Sequence, residues 1–594
     1  MTRTPLRPLA LVLEARAKGR NPGDIERANI SARHEEARDS LRARAESRLL
    51  VILLAFVMIF GLLALRMGEL ALSEAVEPTT YSSGPAIVAQ RSNILDRNGR
   101  ILATNLDTHS LYATPQDMVE PEFAAQGLAA IFPDLDEAEL LKTFTSSRKF
   151  LWVKKQLSPE QKQAVHDLGE PGLKFGPREV RLYPNGRLAS HVLGGASFGR
   201  EDVVAAEVVG VAGVEKTFDG FLRDPANEGR PLELTLDLTV QAAIEEVLHG
   251  GMMLMNAKGA AAILMDVHSG EVISLTSLPD FDPNDRPAPP TQGNPADSPL
   301  FNRAVQGIYE LGSTFKVFAA AQSLEMGLTT SDTMVDIRGP LRWGKFAITD
   351  FHNYGKELSV RDIIVKSSNI GSARLALQFG GEKQQDFLKS LGFMDLTGIE
   401  MVEASGGRPK TPKDWTDLST ITVSYGHGLS ATPMHLATAY ASLVNGGFKV
   451  TPTLIKQNYI ERGPRIVSPD TSREVREMLR AVVKEGTASF GEVPGYAVGG
   501  KTGTADKPKE TGGGYYEDKV IATFASIFPA HDPKYVLVVS LDEPELQTEV
   551  EPKRTAGWTA VPVAAEIITR TAPLLGLRPE IEPSSRSGVS TASN

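Results

Sequence analysis

The sequence predicts an α+β chain whose exported part is carried on one transmembrane helix, and three observations lead there. Residues 49–65 (LLVILLAFVMIFGLLAL) are seventeen uncharged residues bracketed by Arg48 and Arg66, at the lower end of what spans a hydrocarbon core of about 30 Å. β-prone runs separated by short turn sequences recur at 87–103, 260–278 and 520–541, the pattern of antiparallel hairpins. Helical patterns at 237–250, 432–445, 472–485 and 558–574 lie among them. The chain has 594 residues and 41% hydrophobic content, which gives it room for about three or four domains and at least one large core. With no cysteine, disulfides, Cys-ligated zinc and thiol catalysis are excluded, while the redox compartment stays undecided. A net charge of −10 argues against a general nucleic-acid binder.

Residues 1–48 are polar and rich in arginine, which predicts a charged helix or a disordered tail. A helix apolar on every face with arginine excess before it reads as a membrane span with the tail cytoplasmic and everything beyond Arg66 exported. A cleaved signal peptide is the rival reading. Against it, the apolar run starts about fifty residues in, beyond the usual n-region, and only Ala71-Leu72-Ser73 offers a weak cleavage site.

A spacer at 73–85 precedes a hairpin around Asp96-Arg97-Asn98-Gly99. From 121 to about 168 the pattern is helical, with 135–144 and 158–168 the clearest pieces and a Ser158-Pro159-Glu160 cap opening the second. Residues 178–222 contain Arg181-Leu182-Tyr183-Pro184, His191 and Gly213-Val214-Glu215-Lys216, none of which reads as catalytic; a lone histidine is more often structural than a ligand. A new domain begins near Pro231, with a short strand at 232–236 and a helix after an Asp237 cap. The loop at 279–300 is long enough to be functional or mobile.

That loop delivers the chain to Glu310-Leu311-Gly312-Ser313-Thr314-Phe315-Lys316. On a helix Ser313 and Lys316 share a face, so the amine reaches the hydroxyl, a candidate nucleophile with its base. Ser-x-x-Lys alone is cheap, and it recurs at Ser146/Lys149 in a Lys/Arg-rich stretch without an apolar face, where it is assigned no role. A helix predicted over 359–379 holds Lys366-Ser367-Ser368-Asn369, and a short strand holds Gly500-Lys501-Thr502-Gly503-Thr504. The last twenty residues, rich in Ser and Pro, are predicted to be disordered.

Ser313-x-x-Lys316, Ser367-x-Asn369 and Lys501-Thr502-Gly503 stand in the order and separation of the penicilloyl-serine transferases, in which these three motifs line one cleft. With the flanks Asn302 to Gln306, Ser424-Tyr425-Gly426-His427-Gly428 and Thr504-Ala505, the chain resembles the class B penicillin-binding proteins, and within them the division-specific FtsI (penicillin-binding protein 3) type. Asn369 favours that type, since the elongation-specific relatives typically carry aspartate there. Arg91 to Ala103, Arg181-Tyr183-Pro184 and Gly213 to Lys216 resemble the family's non-catalytic pedestal. Leu311, where many members have proline, and Ser92, where glycine is usual, depart from the pattern.

The resemblance implies a penicilloyl-serine transferase domain (an antiparallel sheet flanked by helices) preceded by an elongated α/β pedestal domain. The expected division is a cytoplasmic tail at 1–48, the transmembrane helix at 49–66, a periplasmic pedestal at 67–230, the transpeptidase domain at 231–575 and a disordered tail at 576–594. It implies that Ser313 attacks the D-Ala-D-Ala carbonyl of a peptidoglycan stem peptide and passes the acyl group to an amine of a neighbouring stem peptide. β-Lactam antibiotics would acylate the same serine. Lys316 is the implied base, its pKa lowered by burial and by Lys501. Ser367 would pass a proton to the leaving amine, and Asn369 would bind the substrate amide and steady Lys316. Lys501, Thr502 and Thr504 would hold the terminal carboxylate, with Gly503 between them. The backbone N–H groups of Ser313 and Thr504 would form the oxyanion hole, where one donor is worth about 3 kcal/mol of barrier. No metal or cofactor is called for. Implied partners are the inner membrane, a polytopic peptidoglycan glycosyltransferase of the FtsW type and other division proteins, with no nucleic acid.

Two other readings share part of this pattern. A serine β-lactamase carries the same motifs, but length, anchor and pedestal oppose it, as does the lack of a Glu-x-x-Leu-Asn run between Asn369 and Lys501. A membrane-anchored sensor or scaffold would need an output domain, and the arginine-rich tail has no recognisable one.

Overall fold

The computed structural model describes residues 7–25, 53–65 and 91–580 apart from 202–205, 458, 460 and 510–512, with isolated positions between 27 and 38. Two compact units divide at Ser82/Ser83. In the first, Arg7–Ala17 is a helix, and residues 53–65 of the apolar run are helical. Among the described residues no helix is long and apolar enough to cross a membrane. The rest of the expected span at 49–66, the spacer at 73–85 and residues 581–594 of the expected tail lie outside the described residues.

The second unit opens with the expected hairpin, β1 (Ile94–Leu95) and β2 (Ile101–Ala113), closed by Asp96, which accepts from the backbone of Asn98 and Arg100. The far half of β2 pairs on one side with β3 (Leu151–Leu157) and on the other with β4 (Leu173–Leu182), both antiparallel. Helices Pro121–Ile131, Glu137–Phe144 and Pro159–Asp167 pack near this sheet around a small core of Leu111, Leu128, Phe132 and Phe144. The Ser158 cap is a full capping box with Gln161. Two expectations are corrected. The stretch 121–168 is not helical throughout, because β3 interrupts it where Leu151, Trp152 and Val153 supply β-forming side chains. The strand expected at 232–236 is only Leu232–Glu233, and it joins β1 in parallel rather than opening a new sheet.

The motifs at 91, 181 to 183 and 215 meet in one buried ion cluster. The Glu215 carboxylate, fully buried, accepts from Arg91 Nε at 2.7 Å, Arg181 Nε at 2.7 Å and Tyr183 Oη at 3.3 Å. Arg91 Nη1 also meets Asp219 at 2.7 Å. Ser92 is buried there too, donating its N–H to Leu222 and accepting from Arg181 through its carbonyl. His191 is structural, as expected: it is buried, 3.2 Å from the Pro279 carbonyl and edge-on to Phe281, and burial pushes its pKa down to about 4.

The larger sheet is built from β5 (Gly259–Asp266), β6 (Val272–Leu278), β7 (Gly499–Pro508), β8 (Tyr515–Phe528) and β9 (Tyr535–Asp542) in the order β7-β8-β9-β5-β6, every neighbour antiparallel. Helix α1 (Leu238–Leu254), capped by Asp237, and helix α7 (Ala560–Leu574) pack together and on the sheet. Helix α5 (Pro433–Val444), buried along its whole length, packs on it as well. β5, with α1 and α5 both against it, is consequently buried at every residue but Asp266, where a one-sided sheet would alternate. Against this core stand α2 (Lys316–Glu325), α3 (Val360–Lys366), α4 (Asn369–Ser390) and α6 (Pro469–Glu485).

Candidate active site

Ser313 lies in a 3-10 turn, Gly312–Phe315, that runs straight into α2, so the candidate nucleophile precedes the α-helix rather than opening it. A 3-10 turn stacks residues three apart, and Lys316 Nζ stands 2.9 Å from Ser313 Oγ. Leu311, just before the turn, is 1% exposed, and its carbonyl accepts from Thr314 Oγ1. A side chain here fills the core beneath the nucleophile.

The helix expected over 359–379 is broken. It ends as α3 at Lys366, Ser367 takes a left-handed conformation with φ of 61°, and α4 begins at Asn369. A non-glycine residue in that region costs about 1 kcal/mol or more. The break turns both oxygens of Ser367 onto one nitrogen: Lys316 Nζ is 2.6 Å from the Ser367 carbonyl and 3.0 Å from its Oγ. From the other side Lys501 Nζ meets the same Oγ at 3.1 Å and the Thr502 carbonyl at 3.0 Å.

Both lysines are buried, Lys316 1% and Lys501 0% exposed, while Ser313, Ser367, Asn369 and Thr504 are partly exposed above them. Burial first, then the charge of Lys501, hold Lys316 well below the ordinary lysine value, against a smaller opposing pull from Asp350. Burial pushes Lys501 down to about 7. The contacts of Lys316 suit a neutral amine. Its two N–H groups and one lone pair face three oxygens, and since the carbonyl only accepts, the lone pair falls to a hydroxyl. The sequence expectation of a base depressed by burial and a second cation thus has its geometric counterpart.

β7 brings Lys501 to Thr504 alongside the Ser313 turn. A Cβ at Gly503 would lie 2.3 Å from the Leu311 carbonyl and 2.9 Å from Thr314 Cγ2, so only glycine lets the strand approach. Thr502 Oγ1 is 2.7 Å from Thr487 Oγ1, and Thr504 Oγ1 accepts from the Ala556 N–H at 3.0 Å. Each hydroxyl is thereby oriented by a neighbour outside the motif.

Asn369 sits differently from expectation. Its Nδ2 donates to the Thr349 carbonyl at 2.9 Å, and the partner that steadies Lys316 is Ser367. Two further residues had no role in the sequence reading. The Asp350 carboxylate accepts from Ser368 Oγ at 2.6 Å and from the N–H groups of Asn369 and Ile370 at 2.6 and 3.0 Å, an anion placed on the start of α4. Glu310 accepts from Gly428 N at 2.8 Å and Tyr515 Oη at 3.1 Å and meets His427 Nδ1 at 2.9 Å. It ties the nucleophile's turn to two distant segments, and those hydrogen bonds hold its carboxyl below the usual range despite burial. The duplicate Ser146/Lys149 is elsewhere: Ser146 Oγ donates to the Thr143 carbonyl.

Two family models match, one described as penicillin binding protein transpeptidase domain over residues 260–569 and one as penicillin-binding protein dimerisation domain over residues 86–228. The chain is similar to a probable peptidoglycan D,D-transpeptidase FtsI of Caulobacter vibrioides, 33% identical with 92% of each chain covered. It is also similar to a probable peptidoglycan D,D-transpeptidase PenA of Neisseria gonorrhoeae, 31% identical over 86% of this chain and 88% of the relative. Among solved structures, penicillin binding protein 3 of Mycobacterium tuberculosis, complexed with aztreonam, aligns with a TM-score of 0.62. That alignment has 25% identity and covers 83% of this chain and 98% of the other.

Proposed function

The chain belongs to the penicillin-binding protein transpeptidase family, and from that membership we propose that it is a peptidoglycan D,D-transpeptidase working through an acyl-enzyme on Ser313. The observation that carries this is the single nitrogen of Lys316 set between Ser313 Oγ and the two oxygens of Ser367. Neutral Lys316 takes the Ser313 proton as Oγ attacks the carbonyl of the penultimate D-alanine. The backbone N–H groups of Ser313 and Thr504 receive the developing oxyanion. The proton then passes through Ser367 Oγ, within 3.0 Å of Lys316 Nζ, to the amine of the departing D-alanine. Lys501, Thr502 and Thr504 bind the terminal carboxylate and Asn369 the substrate amide. An amine of a neighbouring stem peptide then takes the acyl group and restores Ser313. A β-lactam enters by the first half of this sequence and stays as the ester.

The finer reading follows from the same membership. Residues 49–66 anchor the chain in the inner membrane, with 1–48 cytoplasmic and the pedestal (67–230) and transpeptidase domain (231–575) periplasmic. The reaction serves septal synthesis, alongside an FtsW-type glycosyltransferase and other division proteins. Purified full-length chain and its Ser313→Ala variant, supplied with glycan strands polymerised by a separate glycosyltransferase, test the proposal. Cross-linked dimers from the wild type alone are expected; equal cross-linking by the variant would overturn it.

A further inference from the structure

Residues 341–356 form a surface feature that the chemistry above does not use. Two three-residue strands, Leu341–Trp343 and Phe346–Ile348, pair as a hairpin closed by Gly344-Lys345. Leu341 faces Ile348 and Trp343 faces Phe346 across the ladder, so all four share one face. Ile348 anchors that face in the core at 6% exposure, whereas Trp343 and Phe346 continue it into solvent at 36% and 48%. Phe351, just beyond, is 86% exposed. Exposed aromatics gathered on one small element give it the apolar face that a binding surface needs.

The charge of this element is opposite to that of the chain. Residues 341–356 carry Arg342, Lys345 and Lys356 against the single carboxylate of Asp350, in a chain of net charge −10. Asp350 is occupied on the start of α4. Arg342, Lys345 and Lys356 are exposed, and none forms a salt bridge among the described residues. The element is also wired to the active-site turn on both sides of Ser367. Thr349 and Asp350 hold Asn369, and Tyr354 Oη donates to the Lys366 carbonyl at 3.0 Å.

We propose that the 341–356 hairpin and its following loop form a subsite for the peptidoglycan strand itself, beyond the reacting peptide. Trp343 and Phe346 take the apolar faces of pyranose rings, and Arg342, Lys345 and Lys356 pair with the strand's carboxylates. Aromatic rings flanked by cations that make no salt bridge among the described residues, Lys345 itself lying 5.5 Å from the Phe346 ring centroid, suit an anionic glycopeptide, and the attachment to the Ser367–Asn369 turn sets the strand beside the chemistry. This deepens the transpeptidase reading and rests on it.

The test uses full-length protein in detergent, with Trp343→Ala/Phe346→Ala and Lys345→Glu/Lys356→Glu variants. Two probes are used: soluble uncross-linked glycan strands bearing stem peptides, and a reporter penicillin. Both variants are expected to bind the glycan strands about tenfold or more weakly, while penicillin acylates Ser313 at the wild-type rate, which also shows that the fold is intact. Lys345→Arg/Lys356→Arg is expected to keep wild-type strand binding. Unchanged strand binding in the two disruptive variants overturns the subsite, and if cross-linking in cells falls nonetheless, the face belongs to a protein partner. Failure of wild-type protein to acylate would instead remove the transpeptidase reading, so the two failures are distinct.

Discussion

Replacing Lys501 with methionine removes a charge from beside the proposed base while keeping most of the side-chain volume. Lys316 Nζ and Lys501 Nζ touch the same Ser367 Oγ, at 3.0 and 3.1 Å. They therefore stand no more than about 6 Å apart, where two unit charges repel by about 3 kcal/mol at an effective dielectric near 20. That repulsion disfavours protonated Lys316, and it adds to the larger effect of burial. Without it Lys316 holds its proton more tightly, so the neutral form needs a higher pH. The assay is the second-order rate of Ser313 acylation by a reporter penicillin between pH 5 and 10. In the wild type the rate rises as Lys316 loses its proton; in Lys501→Met that rising limb moves to higher pH. The plateau falls too, because in the proposed mechanism Lys501 also binds the ligand's carboxylate, and the position of the limb separates the two effects. A limb that stays in place, or moves to lower pH, would refute the electrostatic account of the base.

Stability carries the same signature with the opposite reading direction. Lys501 titrates at about 7 when folded and near 10.4 when unfolded, so between those values the unfolded chain holds the extra proton and stability rises with pH by up to about 1.4 kcal/mol per pH unit. Denaturant titrations from pH 7 to 10 should show a shallower rise for Lys501→Met, and parallel curves would contradict this. Glu215→Gln removes the buried carboxylate that Arg91 and Arg181 share, leaving Arg91 with Asp219 alone, and should cost about 3–5 kcal/mol, read as a lower denaturation midpoint; an unshifted midpoint would show the cluster to be dispensable. Gly503→Ala puts a Cβ 2.3 Å from the Leu311 carbonyl; it should slow acylation about a hundredfold by displacing the nucleophile's turn, with secondary structure by circular dichroism retained. A wild-type rate would mean that the strand and turn can separate without consequence.

The hairpins and capped helices were legible because their signals are local: Asp96 to Gly99 closes one turn, and Asp237 and Ser158 cap helices at the expected places. The strand Leu151–Leu157 was not, since its local β signal is confined to a few residues before Lys154-Lys155-Gln156 and pairing with β2 decides the rest. Nor was the break at Ser367: residues 359–379 read as one helix, and nothing local announces a left-handed serine. The motif serines and lysines were legible by their order along the chain, whereas the supporting residues were not. Asp350 reaches the Asn369 N–H across 19 positions and Tyr515 reaches Glu310 across 205. Such contacts follow from the fold, and one sequence carries no spacing rule for them.

The most direct test of the account is to label the full-length protein with a reporter penicillin, digest it and locate the adduct by mass. The account predicts one acyl ester, on Ser313, lost in Ser313→Ala and much slowed in Lys316→Ala. An adduct on any other residue, or undiminished labelling of Ser313→Ala, would contradict it.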